Sequence, residues 1–252
     1  MLLWKNWRRK ILEREFKIWR GDGEKGEFIN YSIKLEKGMV VLDALHRIQA
    51  THASDLSVRW NCKAGKCGSC SMEINGRPKL ACMTRMNELP EDRTITIQPL
   101  KTFPLIKDLV TNVSWNYQQN KKIIPFNPGK KQDRIMYQQD VERVQEFRKC
   151  IECYLCQDVC HVIRDQDQKD RFVGPRFMIR LASLEMHPLD TEDRIPQIKD
   201  EYGSGMCNIT RCCTDVCPEN IQITDNGIIP LKERVVDRFY DPVMWIYNKL
   251  FK

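Results

Sequence analysis

The sequence predicts an α+β protein of two domains, a small sheet with one covering helix followed by a mostly helical domain. Three observations support this. The first hundred residues alternate strand, strand, helix, strand and strand; residues 98–132 are rich in Pro, Lys and Asn; and helical periodicity begins after residue 140. A chain of 252 residues is long enough for two ordinary cores. We place the domains at residues 1–103 and 104–252.

The first domain is predicted element by element. Residues 15–20 and 27–35 are rich in strand-forming side chains, and the segment GDGEKG between them predicts the turn of a hairpin. Apolar residues then recur at helical spacing over 41–49. Residues 72–74 and 94–97 are predicted as two further short strands, which completes a sheet that one helix covers.

The second domain is predicted to contain few strands. Within the proline-rich connector we expect one short helix near residues 105–115. Helical patterns follow at 141–149, at 175–185 behind a Gly-Pro pair, and at 231–238.

Twelve cysteines are the most unusual feature of the composition. The basic start of the chain lacks the long apolar core of a secretory signal, so metal binding is favoured over a disulfide framework. No run of eighteen apolar residues is present, and we therefore expect a chain that does not cross a bilayer. A structural protein stapled by zinc or disulfides, with no redox role, is the competing interpretation.

The first cysteine group has the C-x4-C-x2-C…C spacing of plant-type [2Fe–2S] ferredoxins. Its members are Cys62, Cys67, Cys70 and Cys82. Gly65 and Gly68 are expected to let the backbone curl around an anionic cluster and to point amides at its sulfurs. Zinc is less favoured, because zinc usually takes two CxxC pairs that lie well apart.

The second group has the C-x2-C-x2-C-x3-C spacing of bacterial two-cluster ferredoxins, in which the fourth cysteine serves the other cluster. A third group ends in the same C-x3-C-P pattern. Crossing the assignments predicts a [4Fe–4S] site at Cys150, Cys153, Cys156 and Cys217. The cysteines that remain for the other cluster are Cys160, Cys207 and Cys213.

This second cluster lacks one ligand. A full cubane needs a thiolate three residues after Cys207, but that position is Thr210, whose hydroxyl is a poor ligand for iron. We therefore predict a [3Fe–4S] cluster. Cys212 is left over and is interpreted as a packed thiol beside the cluster, with a ligand role as the alternative.

The formal charge of +7 counts every cysteine as a neutral thiol. Each oxidised cluster with its thiolates carries roughly −2, so three clusters bring the chain close to neutrality. Because the clusters offset the excess of basic residues, we expect no nucleic-acid partner.

Together, the motif NCKAGKCGSCS, the C-x2-C-x2-C-x3-C run and the C-x5-C-x3-C-P tail resemble the iron–sulfur subunits of succinate dehydrogenase and fumarate reductase. The resemblance covers almost the whole chain. It implies a β-grasp, plant-type ferredoxin-like domain with [2Fe–2S], then a helical two-cluster ferredoxin-like domain with [4Fe–4S] and [3Fe–4S].

The same resemblance implies partner subunits and a path for electrons. A flavoprotein subunit with FAD holds the dicarboxylate site, and a membrane anchor, often a cytochrome b with haem, presents the quinone. Single electrons pass from FAD through [2Fe–2S], [4Fe–4S] and [3Fe–4S] to quinone, or in reverse in a fumarate reductase. The chain itself is expected to carry no catalytic residue and to lie peripherally on the cytoplasmic face of a bacterial cell membrane. An iron–sulfur subunit of another quinone-linked oxidoreductase is the nearest alternative.

One departure from the family concerns the quinone. Members that use ubiquinone tend to carry Pro-Ser and Trp after the fourth cysteine of the run, and a His after the cysteine equivalent to Cys207. Here those places hold HVIR at residues 161–164 and Asn208. The departure favours menaquinone. His161, Arg164 and Asn208 are candidate contacts to quinone or anchor, with a structural His and a solvated Arg as the alternatives.

Overall fold

A computed structural model describes residues 12–23, 25–129 and 135–251. The chain divides into two compact units, Met1–Asn112 and Val113–Lys252. The first unit therefore includes residues 104–112, which the sequence assigned to the second domain.

The first unit is built on a seven-stranded sheet with the order β4-β3-β5-β1-β6-β7, and β2 pairs with β1. The strands are β1 Leu12–Asp22, β2 Lys25–Leu35, β3 Ser71–Ile74, β4 Arg77–Leu80, β5 Ile95–Gln98, β6 Leu105–Lys107 and β7 Val110–Thr111. Helix α1 spans Val41–Thr51, and a 3₁₀ turn spans Met86–Glu88. The predicted hairpin, helix and two short strands are confirmed. Strand β4 was missed.

Alternation of apolar side chains decides which face of this sheet is buried. β1 runs antiparallel to β2 and parallel to β5, which pairs Phe16 with Ile95 and Ile18 with Ile97, all four fully buried. Because successive strand residues point to opposite faces, this register sets one continuous apolar face. Helix α1 covers core residues with its own buried side chains, and the Val40 amide donates to the Asp43 carboxylate at its first turn.

The expected helix at residues 105–115 was wrong. These residues form β6 and β7, and the helix begins only at Ser114. A buried ion pair ties the segment to the sheet: Arg20 Nε lies 3.1 Å from Asp108 Oδ1, and Asp108 also accepts from the amides of Gly21 and Ser57 at 3.0 and 2.8 Å. The segment therefore pairs with β1.

The second unit is mostly helical, as predicted. Its helices are α2 Ser114–Lys122, α3 Gln138–Gln145, α4 Leu155–Asp158, α5 His161–Arg164, α6 Pro175–Glu185, α7 Ile195–Asp200, α8 Cys212–Asp215, α9 Ile229–Phe239 and α10 Pro242–Phe251. Two 3₁₀ turns span Glu146–Lys149 and Ser204–Met206, and a π-helix spans Ile223–Ile228. No helix in the described part of the chain is both long and apolar enough to cross a membrane.

Helix α6 is the centre of the second core. It begins with Pro175 behind Gly174, a sequence suited to a helix start, and most of its side chains are buried. Gly174 has φ of +90°, and a Cβ there would lie 2.1 Å from Gln157 Oε1. Glycine is therefore required where this helix meets the cysteine-containing loops.

Candidate iron–sulfur sites

The ferredoxin loop, Cys62–Cys70, connects α1 to β3, and Cys82 follows β4. Gly65 and Gly68 have φ of +66° and +68°, which confirms that both take the left-handed conformation. A Cβ on Gly65 would lie 2.8 Å from Met83 Sδ. The loop is thus closely wound against the segment that holds Cys82.

Backbone amides in this loop point at sulfur. Ala64 N and Lys66 N each donate to Cys62 Sγ at 3.3 Å, and Cys82 N donates to Cys70 Sγ at 3.4 Å. Such donors stabilise the negative charge of thiolates.

Two thiols of this group have shifted acidities. Burial opposes ionisation of Cys67, but hydrogen bonds with Ser69 and Cys62 outweigh it and lower its pKa to about 6. Burial raises the pKa of Cys70 to about 12, and the neighbouring Cys82 and Cys67 thiols contribute to the increase. The four cysteines therefore lie within electrostatic reach of one another, at a site that a cationic metal would stabilise.

The first cysteine loop is Cys150–Cys160. Four thiols of the second unit line one small cavity of about 20 Å³, those of Cys150, Cys153, Cys156 and Cys217. Burial raises the pKa of Cys153 to about 12, and neighbouring thiols add to it. Burial also raises the pKa of Cys156 well above its ordinary value. Bare thiolates are thus disfavoured here, and iron would supply the compensating charge.

The second cysteine loop is Cys207–Cys217. Burial raises the pKa of Cys213 to about 12, and the thiols of Cys212, Cys207 and Cys160 add to that increase. Burial likewise raises the pKa of Cys160 to about 11. The structure therefore brings Cys160, Cys207 and Cys213 close together, with Cys212 beside them.

The two cysteine loops share a backbone conformation. Glu152 and Tyr154 in the first loop have φ of 56° and 61°, and Ile209 and Arg211 in the second have φ of 62° and 64°. Left-handed conformations are uncommon for residues with side chains. Both pairs stand two and four residues after the loop's first cysteine, and both precede a four-residue helix, α4 or α8.

This correspondence gives Thr210 and Cys212 structural equivalents. Thr210 stands where the first loop has Cys153, and Cys212 stands where it has Leu155. Thr210 Oγ1 donates to Cys212 Sγ at 3.4 Å. Threonine thus stands at the chain position that corresponds to the missing thiolate.

All twelve cysteines fall within the described residues, and each is a free thiol. Over the same residues, no three Cys, His, Asp or Glu side chains converge on the position of one metal ion. The ligand sulfurs of an iron–sulfur cluster lie further apart than those of a single metal ion, because several irons lie between them. The four thiols around one cavity at the first loop are therefore the more relevant observation.

Comparison with known proteins agrees with both units. Residues 15–118 match the family of 2Fe-2S iron-sulfur cluster binding domains, and residues 146–221 match the 4Fe-4S dicluster domain. The chain is 33% identical over 222 residues to the fumarate reductase iron-sulfur subunit of Wolinella succinogenes, covering 84% of this chain and 91% of that protein.

The chain belongs to the family of succinate dehydrogenase and fumarate reductase iron–sulfur subunits. Two other matching proteins are named succinate dehydrogenase iron-sulfur subunit. A solved structure, the Mycobacterium smegmatis Sdh1 complex in the apo form, contains a chain 57% identical, with a TM-score of 0.90 over 92% of this chain and 99% of that one. The predicted fold class and the electron-transfer role are confirmed.

One relative is longer. An uncharacterized iron-sulfur protein of Methanococcus maripaludis is 33% identical over 215 residues, which is 81% of this chain but 41% of that protein. The chain thus spans less than half the length of that relative.

Two candidate quinone contacts of this iron–sulfur subunit lie together. Asn208 Nδ2 is 2.6 Å from His161 Nε2. Both residues directly follow cysteines of the group around Cys213. Arg164 instead contacts its own loop, donating from Nη1 to the Asp158 carbonyl at 3.4 Å.

Sequence reasoning missed a cation at the first loop. Arg176, the second residue of α6, lines the cavity of the four thiols. Its Nη2 forms an ion pair with Glu152, between Cys150 and Cys153. A charged residue among the apolar side chains of the first turn was the available signal, but spacing alone does not place it beside cysteines about twenty residues earlier.

Proposed function

We propose that this subunit holds three iron–sulfur clusters and carries single electrons between the FAD of a flavoprotein partner and quinone at a membrane anchor. The observation that carries the proposal is the pair of matching cysteine loops, one complete and one with threonine in place of a ligand. Bound clusters would supply one-electron chemistry, and a reduced flavin can release its two electrons to them one at a time.

The ligand assignment follows the grouping of the thiols. Cys62, Cys67, Cys70 and Cys82 hold [2Fe–2S]. Cys150, Cys153, Cys156 and Cys217 hold [4Fe–4S]. Cys160, Cys207 and Cys213 hold [3Fe–4S]. Free, mostly buried thiols, amide donors to Cys62 and Cys70, and the cavity with four thiols in its wall support this assignment.

The chain's own residues provide the surroundings of each site. Amides of the ferredoxin loop offset thiolate charge, while Cys153, Cys156, Cys160 and Cys213 are buried from water. Thr224 Oγ1 lies 3.4 Å from Cys213 Sγ and accepts or donates a hydrogen bond there. Such contacts orient ligands and tune their potential.

The quinone end is assigned to the side of the [3Fe–4S] group. The hydrogen-bonded pair of His161 and Asn208 supports this, because it places polar groups next to Cys160 and Cys207. We propose menaquinone as the quinone, since the residues at these places differ from those of ubiquinone-using members. The anchor, with or without haem, holds the subunit peripherally at the cytoplasmic face of the membrane. Succinate oxidation and fumarate reduction both use this route.

Iron analysis of the purified complex tests the proposal. We expect about nine irons per chain, the sum for the three cluster types, and three distinct electron paramagnetic resonance signals. About ten irons, with no oxidised-state signal of a three-iron cluster, would contradict the role of Thr210, whereas about four or eight irons would contradict the presence of three clusters. A colourless protein would overturn the proposal as a whole and favour a structural zinc protein.

A second experiment tests the location. Expressed without the anchor, the subunit is expected to fractionate away from membranes, alone or with the flavoprotein. Salt-resistant binding of that preparation to lipid vesicles would contradict a peripheral attachment through the anchor.

A further inference from the structure

Arg176 is a buried cation in the wall of the cavity that Cys150, Cys153, Cys156 and Cys217 line. Only 5% of the residue is exposed. Burial of a guanidinium is costly unless negative charge and hydrogen-bond acceptors surround it. The protein nevertheless places it here, on the first turn of a helix whose neighbours are mainly apolar.

The protein satisfies this guanidinium only in part. Nη2 pairs with Glu152, but the Glu152 side chain is 47% exposed, so water screens its charge. Nε is buried and has no hydrogen-bond partner within the described residues. One N–H of a buried cation is thus left over beside a cavity walled by thiols.

The groups around Arg176 also indicate that its charge belongs to the cluster site. Cys150, Glu152 and Cys156 are among the groups near it that can carry negative charge, two in the cavity wall and one at Nη2. Two of these three groups are proposed cluster ligands. The cation therefore fits the cluster site better than it fits the carboxylate alone.

We propose that Arg176 tunes the reduction potential of the [4Fe–4S] cluster, raising it through its fixed charge and through an Nε hydrogen bond to a sulfur of the site. This inference rests on the proposed ligand assignment. Reduction adds one negative charge to the cluster, and a positive charge held in a poorly screened environment stabilises the reduced form more than the oxidised form. Glu152 partly cancels that charge.

The test is a redox titration of the intact complex, following the four-iron signal by electron paramagnetic resonance. Arg176→Gln is expected to favour the oxidised form at least tenfold, which is about 59 mV lower for a one-electron couple. Arg176→Lys keeps the charge without the planar fork and should shift the potential less. Glu152→Gln should raise the potential, since it removes the opposing charge and leaves the cation in place.

Potential shifts of opposite sign in Arg176→Gln and Glu152→Gln distinguish electrostatic tuning from a disturbed loop. A disturbed loop would shift the Arg176→Gln and Glu152→Gln potentials in the same direction, and that result would overturn the inference. Arg180→Gln is the matched control, because it removes an exposed charge from the same helix and should leave the potential unchanged. If Arg176→Gln assembles no cluster, the sign in Glu152→Gln decides the question.

Different results would contradict the role of Arg176 and the proposed function. No four-iron signal in the unmodified complex contradicts the ligand assignment itself. A normal signal whose potential is indifferent to both substitutions contradicts only the role of Arg176.

Discussion

The first cysteine loop, Cys150–Cys160, and the second, Cys207–Cys217, place left-handed residues at the same two positions and continue into the same short helix. They differ at two side chains that bear on iron: Cys153 corresponds to Thr210, and Leu155 corresponds to Cys212. We propose that the backbone of both loops builds the cluster site and that one side chain selects the number of irons. Four substitutions test this comparison between the two loops.

The largest expected effect is that of Cys156→Ala. Cys156 is buried among the thiols of the first loop. We expect loss of the whole [4Fe–4S] cluster, from about nine irons to about five per chain. Electron transfer to quinone should stop, measured with succinate and a quinone analogue. Retention of the four-iron signal would contradict the assignment.

Thr210→Cys should make the second loop equivalent to the first. A thiolate is a far better iron ligand than a hydroxyl, so we expect one additional iron and loss of the oxidised-state three-iron signal. The new cubane should take its electron at lower potential, which slows quinone reduction, while reduction of a dye that accepts electrons upstream survives.

The reciprocal exchange is the control for Thr210→Cys. Cys153→Thr should remove one iron from the first site. Combining both substitutions should restore the total while exchanging which loop holds the three-iron cluster. If Thr210→Cys adds no iron, the loop geometry, and not the missing thiolate, limits the cluster.

Cys212→Leu should change the iron content by less than one atom per chain. Leucine occupies the equivalent position in the first loop, where it packs without binding iron. Iron analysis together with the three-iron signal measures the outcome. A drop of one iron or more would make Cys212 a ligand, and Cys212→Ser then separates loss of sulfur from loss of packing.

Ile209→Gly should have the smallest effect. Isoleucine is β-branched and has φ of 62°, a conformation that costs L-residues roughly 1–2 kcal/mol and glycine almost nothing. The side chain is 40% exposed, so little packing is lost. Part of the gain in the free energy of unfolding is offset, because glycine has more conformational freedom in the unfolded chain. We expect the thermal midpoint to rise by about 2–4 °C for each kcal/mol of stability that remains.

Visible absorbance of the clusters during heating follows that midpoint. Ile209→Val keeps the β-branched strain and should leave it unchanged. An equal rise for Val and Gly would assign the effect to packing and not to the left-handed backbone.

From the sequence alone it was possible to predict the cysteine groups, the glycines of the ferredoxin loop, the hairpin, a small sheet with one covering helix, and the helix at Pro175–Glu185. These features are local: ligand spacing, turn residues and side-chain periodicity lie within about a dozen consecutive residues. For the same reason Thr210 was recognised as a substitution within a known spacing.

The features that join distant segments became evident only in the folded structure. Residues 105–111 form strands because Asp108 pairs with Arg20, 88 positions earlier. Arg176 reaches the first cysteine loop, and His161 meets Asn208, through the packing of helices and loops that no local pattern encodes. Burial and charge at these places depend on which chain segments meet, because the free energy of a buried ion or hydrogen bond belongs to the pair and not to either residue.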